Sequence, residues 1–176
     1  MLLRLVFINF CLTVAVRGLS TFLPVFMARL SIPVTAIGIL FTLMLALGAV
    51  ASIFVSSLAR KTGKRILVLS SIVLGIPLAV LGYLAFPSAL GSVLIVAAGT
   101  VLTFSNPLLI LMAQKHSGGS PAMASSLIMG FSWGRAGLSM VLLGAIGEVM
   151  DMRWMMVIVG AFPVLAVFAC LRLPRD

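Results

Sequence analysis

Six apolar runs, each about long enough to cross a bilayer, follow one another with almost nothing between them. A spanning helix needs about 20 mostly apolar residues, and the runs cover residues 2–28, 34–58, 66–86, 90–113, 121–147 and 154–173. In hydrocarbon every backbone N–H and C=O must be satisfied within the protein, so such runs fold as helices. The separators carry turn signals: Ser31-Ile32-Pro33, residues 60–65 with Gly63, Pro87-Ser88, and Ser117-Gly118-Gly119-Ser120-Pro121. Pro33 and Pro121 suit a first helical turn, where the missing N–H is not needed. The expectation is an all-α polytopic membrane protein, with residues 1–176 forming one six-helix bundle. The first run is too long for a signal peptide, begins with Arg4 as a thin positive start, and lacks a small-residue cleavage site; it reads as the first span. Composition agrees, since the chain is 62% hydrophobic and 9% charged, against about 25% charged in soluble domains.

The charge of +9 orients the bundle. With six helices both termini share a side. On it lie Arg4, Arg60, Lys61, Lys64, Arg65, Lys115, Arg172 and Arg175; the other side has Arg29 and Arg153. The positive-inside rule then puts both termini in the cytoplasm and the chain in the plasma membrane. The charge belongs to loops, with no basic face of a soluble domain to follow phosphates, so nucleic acid is excluded as a partner. The bilayer is the expected partner, with a generic attraction to anionic headgroups. Cys11 and Cys170 sit in apolar runs without metal-ligand or redox spacing, and no cofactor is expected. His116, the one histidine, reads as a solvated loop residue.

Two cations are left over. Arg17 and Arg135 fall near the middle of their runs, where an arginine costs about 2.5–3.5 kcal/mol on insertion scales. At 1.5 Å per residue both lie about 18–20 Å from the inner edge. Glu148 and Asp151 are at the outer end of the fifth run and Asp176 at the tail, so no acid is available at that depth. Asn9, Thr13, Arg17, Ser20 and Thr21 form one stripe of the first helix; Ser125, Ser132, Arg135 and Ser139 form another on the fifth. Asn106 and Thr103 share a face of the fourth, where Pro107 invites a kink. These faces line a substrate cavity in one reading; in the other, the arginines bond to backbone carbonyls and are structural. The substrate-binding candidates are Arg17, Arg135, Asn9, Thr13, Thr21, Ser132, Ser139 and Asn106. The third and sixth helices, almost free of polar residues, are expected on the lipid-facing outside. The order of polar and apolar helices points to two inverted three-helix repeats. Small residues at 122, 126, 130, 134, 137 and 144, and at 38, 42, 49, 52 and 56, read as close helix-packing faces.

The loop Ser57-Leu58-Ala59-Arg60-Lys61-Thr62-Gly63-Lys64-Arg65 resembles the G-x-L-A-D-R-x-G-R-R loop of the major facilitator superfamily. Met112-Ala113-Gln114-Lys115, Ala124-Ser125-Ser126-Leu127, Gly130 to Gly137 and Gly144-Ala145-Ile146-Gly147-Glu148 are similar to the C-terminal half of its fosmidomycin-resistance branch. The resemblance runs from about Arg17 to Leu173 and implies helices seven to twelve of a full secondary transporter, exporting small anionic or drug-like compounds. It makes Arg60, Lys61, Gly63, Lys64 and Arg65 a cytoplasmic gating loop. Arg60 departs from the pattern's aspartate, Arg135 from a glycine and Glu148 from an aspartate. It also implies a missing N-terminal six-helix half, supplied by a longer gene, a separate chain or a homodimer partner. Any proton-carrying acid would belong to that half. The alternative is a non-transporting remnant or accessory subunit acting through helix contacts. A membrane enzyme ranks last, because paired carboxylates and His/Cys clusters are lacking.

Overall fold

The structure is a computed structural model that describes residues 1–116 and 120–173. The expected turn at residues 117–119, with Arg175 and Asp176, lies outside the described residues. Six helices are long and apolar enough to cross a membrane: α1 Leu2–Arg29, α2 Val34–Thr62, α3 Lys64–Ala85, α4 Ala89–Lys115, α5 Pro121–Val149 and α6 Met152–Leu171. The chain is thus an all-α membrane protein, with no strand among the described residues.

The α2–α3 connection is shorter than the sequence suggests. α2 runs on through Arg60 and Lys61 to Thr62, and α3 starts at Lys64. Gly63 makes the whole turn at φ +84°, ψ 140°, a backbone open to glycine at little cost. The cations of the last α2 turn complement the negative end of the helix dipole, which is why the helix can continue into a basic stretch. At the connections that lead into α4, α5 and α6, side chains cap the starts. Ser88 accepts from the Gly91 N–H at 3.1 Å, Ser120 from Met123 at 3.3 Å and Asp151 from Arg153 at 2.7 Å.

Three spans are irregular. α4 breaks at Phe104, because the Pro107 ring cannot accommodate the carbonyl four residues back, that of Thr103. This is the kink expected from Pro107. α6 breaks at Phe162–Pro163 for the same reason. α5 contains a π turn over Leu127–Phe131.

α1 is the centre of the bundle. In its most apolar 18-residue stretch 61% of residues are buried, against 44% in α3, 39% in α6 and 17% in both α2 and α5. The greasy helices α3 and α6 are therefore better covered than α2 and α5. They pack on α1, α4 and each other, with Gly160 set against Ala79 and Tyr83, and expose Val73, Leu74, Ile158 and Phe168 on their far sides. In a bilayer an apolar side chain gains little from choosing protein over lipid, so apolar character does not report which helix is outermost.

The packing repeats. α1 lies against α5 and α6; α4 lies against α2 and α3; α3 lies against α6. Advancing each helix by three positions turns this set into itself, as two three-helix repeats require. Two apolar clusters fill the bundle. One, near the termini, holds Leu5, Leu12, Ile72, Leu108, Ile128 and Cys170. The other, at the far end, holds Leu23, Met44, Tyr83, Ile95 and Met156. Cys11 and Cys170 are free buried thiols. The terminal end of the bundle is pinned by Arg4, which donates to the Arg172 carbonyl at 3.0 Å, and Arg65, which donates to the Leu171 carbonyl at 2.6 Å. Both termini thus share one side.

Candidate functional site

The polar stripe of α1 faces α5, and the two helices are stitched along it. Asn9 is buried and donates through Nδ2 to the Ile128 carbonyl at 3.1 Å. Ile128 lies in the π turn, an irregularity found frequently at functional sites. Ser132, also buried, donates to the Val6 carbonyl at 3.4 Å. Thr13 bonds back to the Asn9 carbonyl at 2.6 Å. Asn9, Thr13 and Ser132 are thus brought together, with their polar atoms engaged between or within helices. Asn9→Leu is expected to lower the stability of the bundle by about 1 kcal/mol, the upper range for polar pairs between membrane helices. Thermal unfolding in detergent measures it.

Two turns further along the same seam the character changes. Arg17 is half-buried, with its guanidinium carbon 4.0 Å from the centroid of the Trp133 ring. A cation over an indole face gains about 0.5–2 kcal/mol, which offsets part of the cost of a charge at this depth. Ser20 donates to the Arg17 carbonyl at 3.0 Å, and Thr21 is exposed. The described carboxylates, Glu148 and Asp151, stand at the end of the bundle away from the termini, so the charge of Arg17 is held by an aromatic face. The role of Trp133 was missed in the sequence. Its signal was available: a tryptophan on the other polar-striped helix at the depth of the unexplained cation.

Arg135 does not join Arg17. It is exposed and lies over Phe131, again at 4.0 Å, with Ser139 donating to its carbonyl at 3.0 Å. Trp133 and Arg135 are two positions apart, a rotation of about 200°, so the two cations occupy opposite sides of α5. Asn106 is half-buried just after the break in α4. Nearby, the buried hydroxyls of Ser71 and Ser105 bond to each other across α3 and α4, and the Thr100 hydroxyl is buried without a partner. Gln114 donates to the Ser125 hydroxyl at 2.8 Å, tying α4 to α5.

The candidate gating residues gather at the end of the bundle shared with the termini. Arg60 and Lys61 are exposed, and Gly63, Lys64 and Arg65 are half-buried. Arg65 is occupied by the end of α6. Arg60, Lys61, Gly63 and Lys64 border an open cleft of about 850 Å³ whose other wall is Leu111 and Lys115 of α4.

Among curated proteins, the chain is similar to the uncharacterized MFS-type transporter YfnC of Bacillus subtilis (strain 168), at 31% identity over 132 residues. That similarity supports the major facilitator superfamily. The match takes in 75% of this chain, and the chain spans 32% of the length of that relative. No family model matches the chain, and no solved structure matches it.

Proposed function

We propose that this chain is the C-terminal half of a secondary transporter of the major facilitator superfamily, of the fosmidomycin-resistance type, exporting small anionic or drug-like compounds. The observation that carries the reading is Arg17: a half-buried guanidinium at mid-span, seated on Trp133 with none of the described carboxylates beside it. A fixed planar cation in a low-dielectric cavity attracts phosphonate or carboxylate and can bind it through two hydrogen bonds. Thr21, on the same helix face and exposed, and Asn106 would add polar contacts to a ligand. Arg135, exposed on the other side of α5, would border the path where this chain meets the companion half.

The uncovered face of α5 supports a companion of six further helices. α5 exposes Leu138, Val141, Leu142 and Ile146, and among the described residues Gly130, Gly134, Gly137 and Gly144 have no neighbour within 4 Å of an added Cβ. Such a small-residue face lets another helix come close. The basic end of the bundle is read as cytoplasmic. The test uses cells that lack this chain and are loaded with fosmidomycin. Restoring the wild-type chain is expected to restore efflux, and Gly134→Leu to fail although the variant inserts and unfolds at the wild-type temperature. Efflux unchanged by loss of the chain overturns the transport reading; full efflux through the Gly134→Leu variant overturns the pairing face.

A further inference from the structure

The cleft at the end of α2 is built for more than a loop contact. Arg60 and Lys61 close the last turn of α2, Lys64 opens α3, and Lys115 stands on the facing wall at the end of α4. The described acids, Glu148 and Asp151, are at the opposite end of the bundle. The start of α3 also borders the cleft, and it has no side-chain cap. The N–H groups of its first turn therefore remain as donors at the positive end of a 22-residue helix, the arrangement that receives phosphate. Gly63, without a side chain, leaves that helix end open.

The cleft is also amphipathic along the bundle axis. Its rim is cationic, but Ile53 and Leu111 form its deeper walls, 73% and 45% exposed. Ile53 lies seven residues before Arg60, about 10 Å deeper at the helical rise. A free phosphate would leave that apolar depth wetted. A phospholipid would place its phosphodiester among the cations at headgroup level and its acyl chains against Ile53 and Leu111.

The geometry points to this cleft as a site for the headgroup of an anionic phospholipid, held by Arg60, Lys61 and Lys64 and by the first-turn N–H groups of α3. The site does not depend on transport, and the Arg60 that departs from the loop's usual acid becomes one of its ligands. It differs from a generic positive surface in being local, since the cations at the termini lie outside it.

The experiment follows thermal unfolding of the full chain in detergent with added phosphatidylglycerol, phosphatidylcholine or inorganic phosphate. Phosphatidylglycerol is expected to raise the midpoint by about 4 °C over phosphatidylcholine, the scale of a ligand several-fold above its dissociation constant. The double variant Lys61→Gln/Lys64→Gln is expected to lose that difference. Arg29→Gln/Arg153→Gln, which removes the same charge from the other end, is expected to keep it. Equal losses in the two variants, or no lipid difference in the wild type, would overturn the site. Inorganic phosphate giving the full shift would overturn the lipid assignment. As a check independent of the variants, mass spectrometry of the wild type should retain phosphatidylglycerol in preference to phosphatidylcholine at equal loading; equal retention counts against the site.

Discussion

Under the proposed export function, replacing Arg17 by alanine is expected to cut efflux about a hundredfold, the scale of a lost charge-assisted hydrogen bond, with the amount of protein in the membrane unchanged. The prediction rests on how Arg17 is held. Its guanidinium lies 4.0 Å over Trp133, it is half-buried, and its backbone carbonyl accepts from Ser20. None of these contacts is required for insertion, and losing a mid-span charge makes insertion easier by about 2.5–3.5 kcal/mol. A fall in transport would therefore report on the charge, and not on a failure to fold. Arg17→Lys keeps the charge but loses the planar face that stacks on indole and the paired donors, so partial transport is expected. Trp133→Ala frees the guanidinium without removing it and should weaken transport less than Arg17→Ala. The readout is fosmidomycin efflux, normalised to membrane protein. Wild-type efflux by Arg17→Ala would show that the arginine is structural and remove the basis of the anion preference.

The sequence specified the spans well because hydrocarbon leaves the backbone no alternative to helix. Pro107 likewise announced the break in α4, since its effect is local and steric. What it could not announce were matters of neighbours. Asn9 looks the same in sequence whether it lines a cavity or donates to Ile128, and the choice depends on a π turn 119 residues away. Arg17 and Arg135 share depth and sign, yet a rotation about α5 sends them to different sides. Gly130, Gly134, Gly137 and Gly144 of α5 read as a packing face, and among the described residues nothing packs on them. Glycine spacing shows that a helix can be approached; it does not say by which helix. The greasiness of α3 and α6 leaves their packing open for the related reason that lipid and helix are equally apolar surroundings: one side is covered by α1, α4 and each other, and the far side exposes Val73, Leu74, Ile158 and Phe168.

Gly91→Ala is expected to be the most damaging single methyl in the bundle, costing about 3 kcal/mol, the upper part of the range for overpacking. At Gly91 an added Cβ would lie 2.6 Å from the backbone nitrogen of Phe86 and 2.8 Å from the Ala85 carbonyl carbon. These are main-chain atoms of the α3–α4 turn, which cannot rotate away as a side chain can. Relief would require the turn to move, and with it the Ser88 cap that accepts from the Gly91 N–H and the Phe86 carbonyl to which Arg153 donates at 3.1 Å. The same substitution at Gly137 meets nothing within 4 Å. There alanine replaces glycine inside a helix and is expected to be neutral or to stabilise the isolated chain by up to about 1 kcal/mol. One added methyl should thus act in opposite directions at two glycines, and thermal unfolding of the two variants in the same detergent reads the difference. Equal midpoints would mean that the turn yields without cost, and that the close approach of α4 to the end of α3 is not what holds these two helices in register.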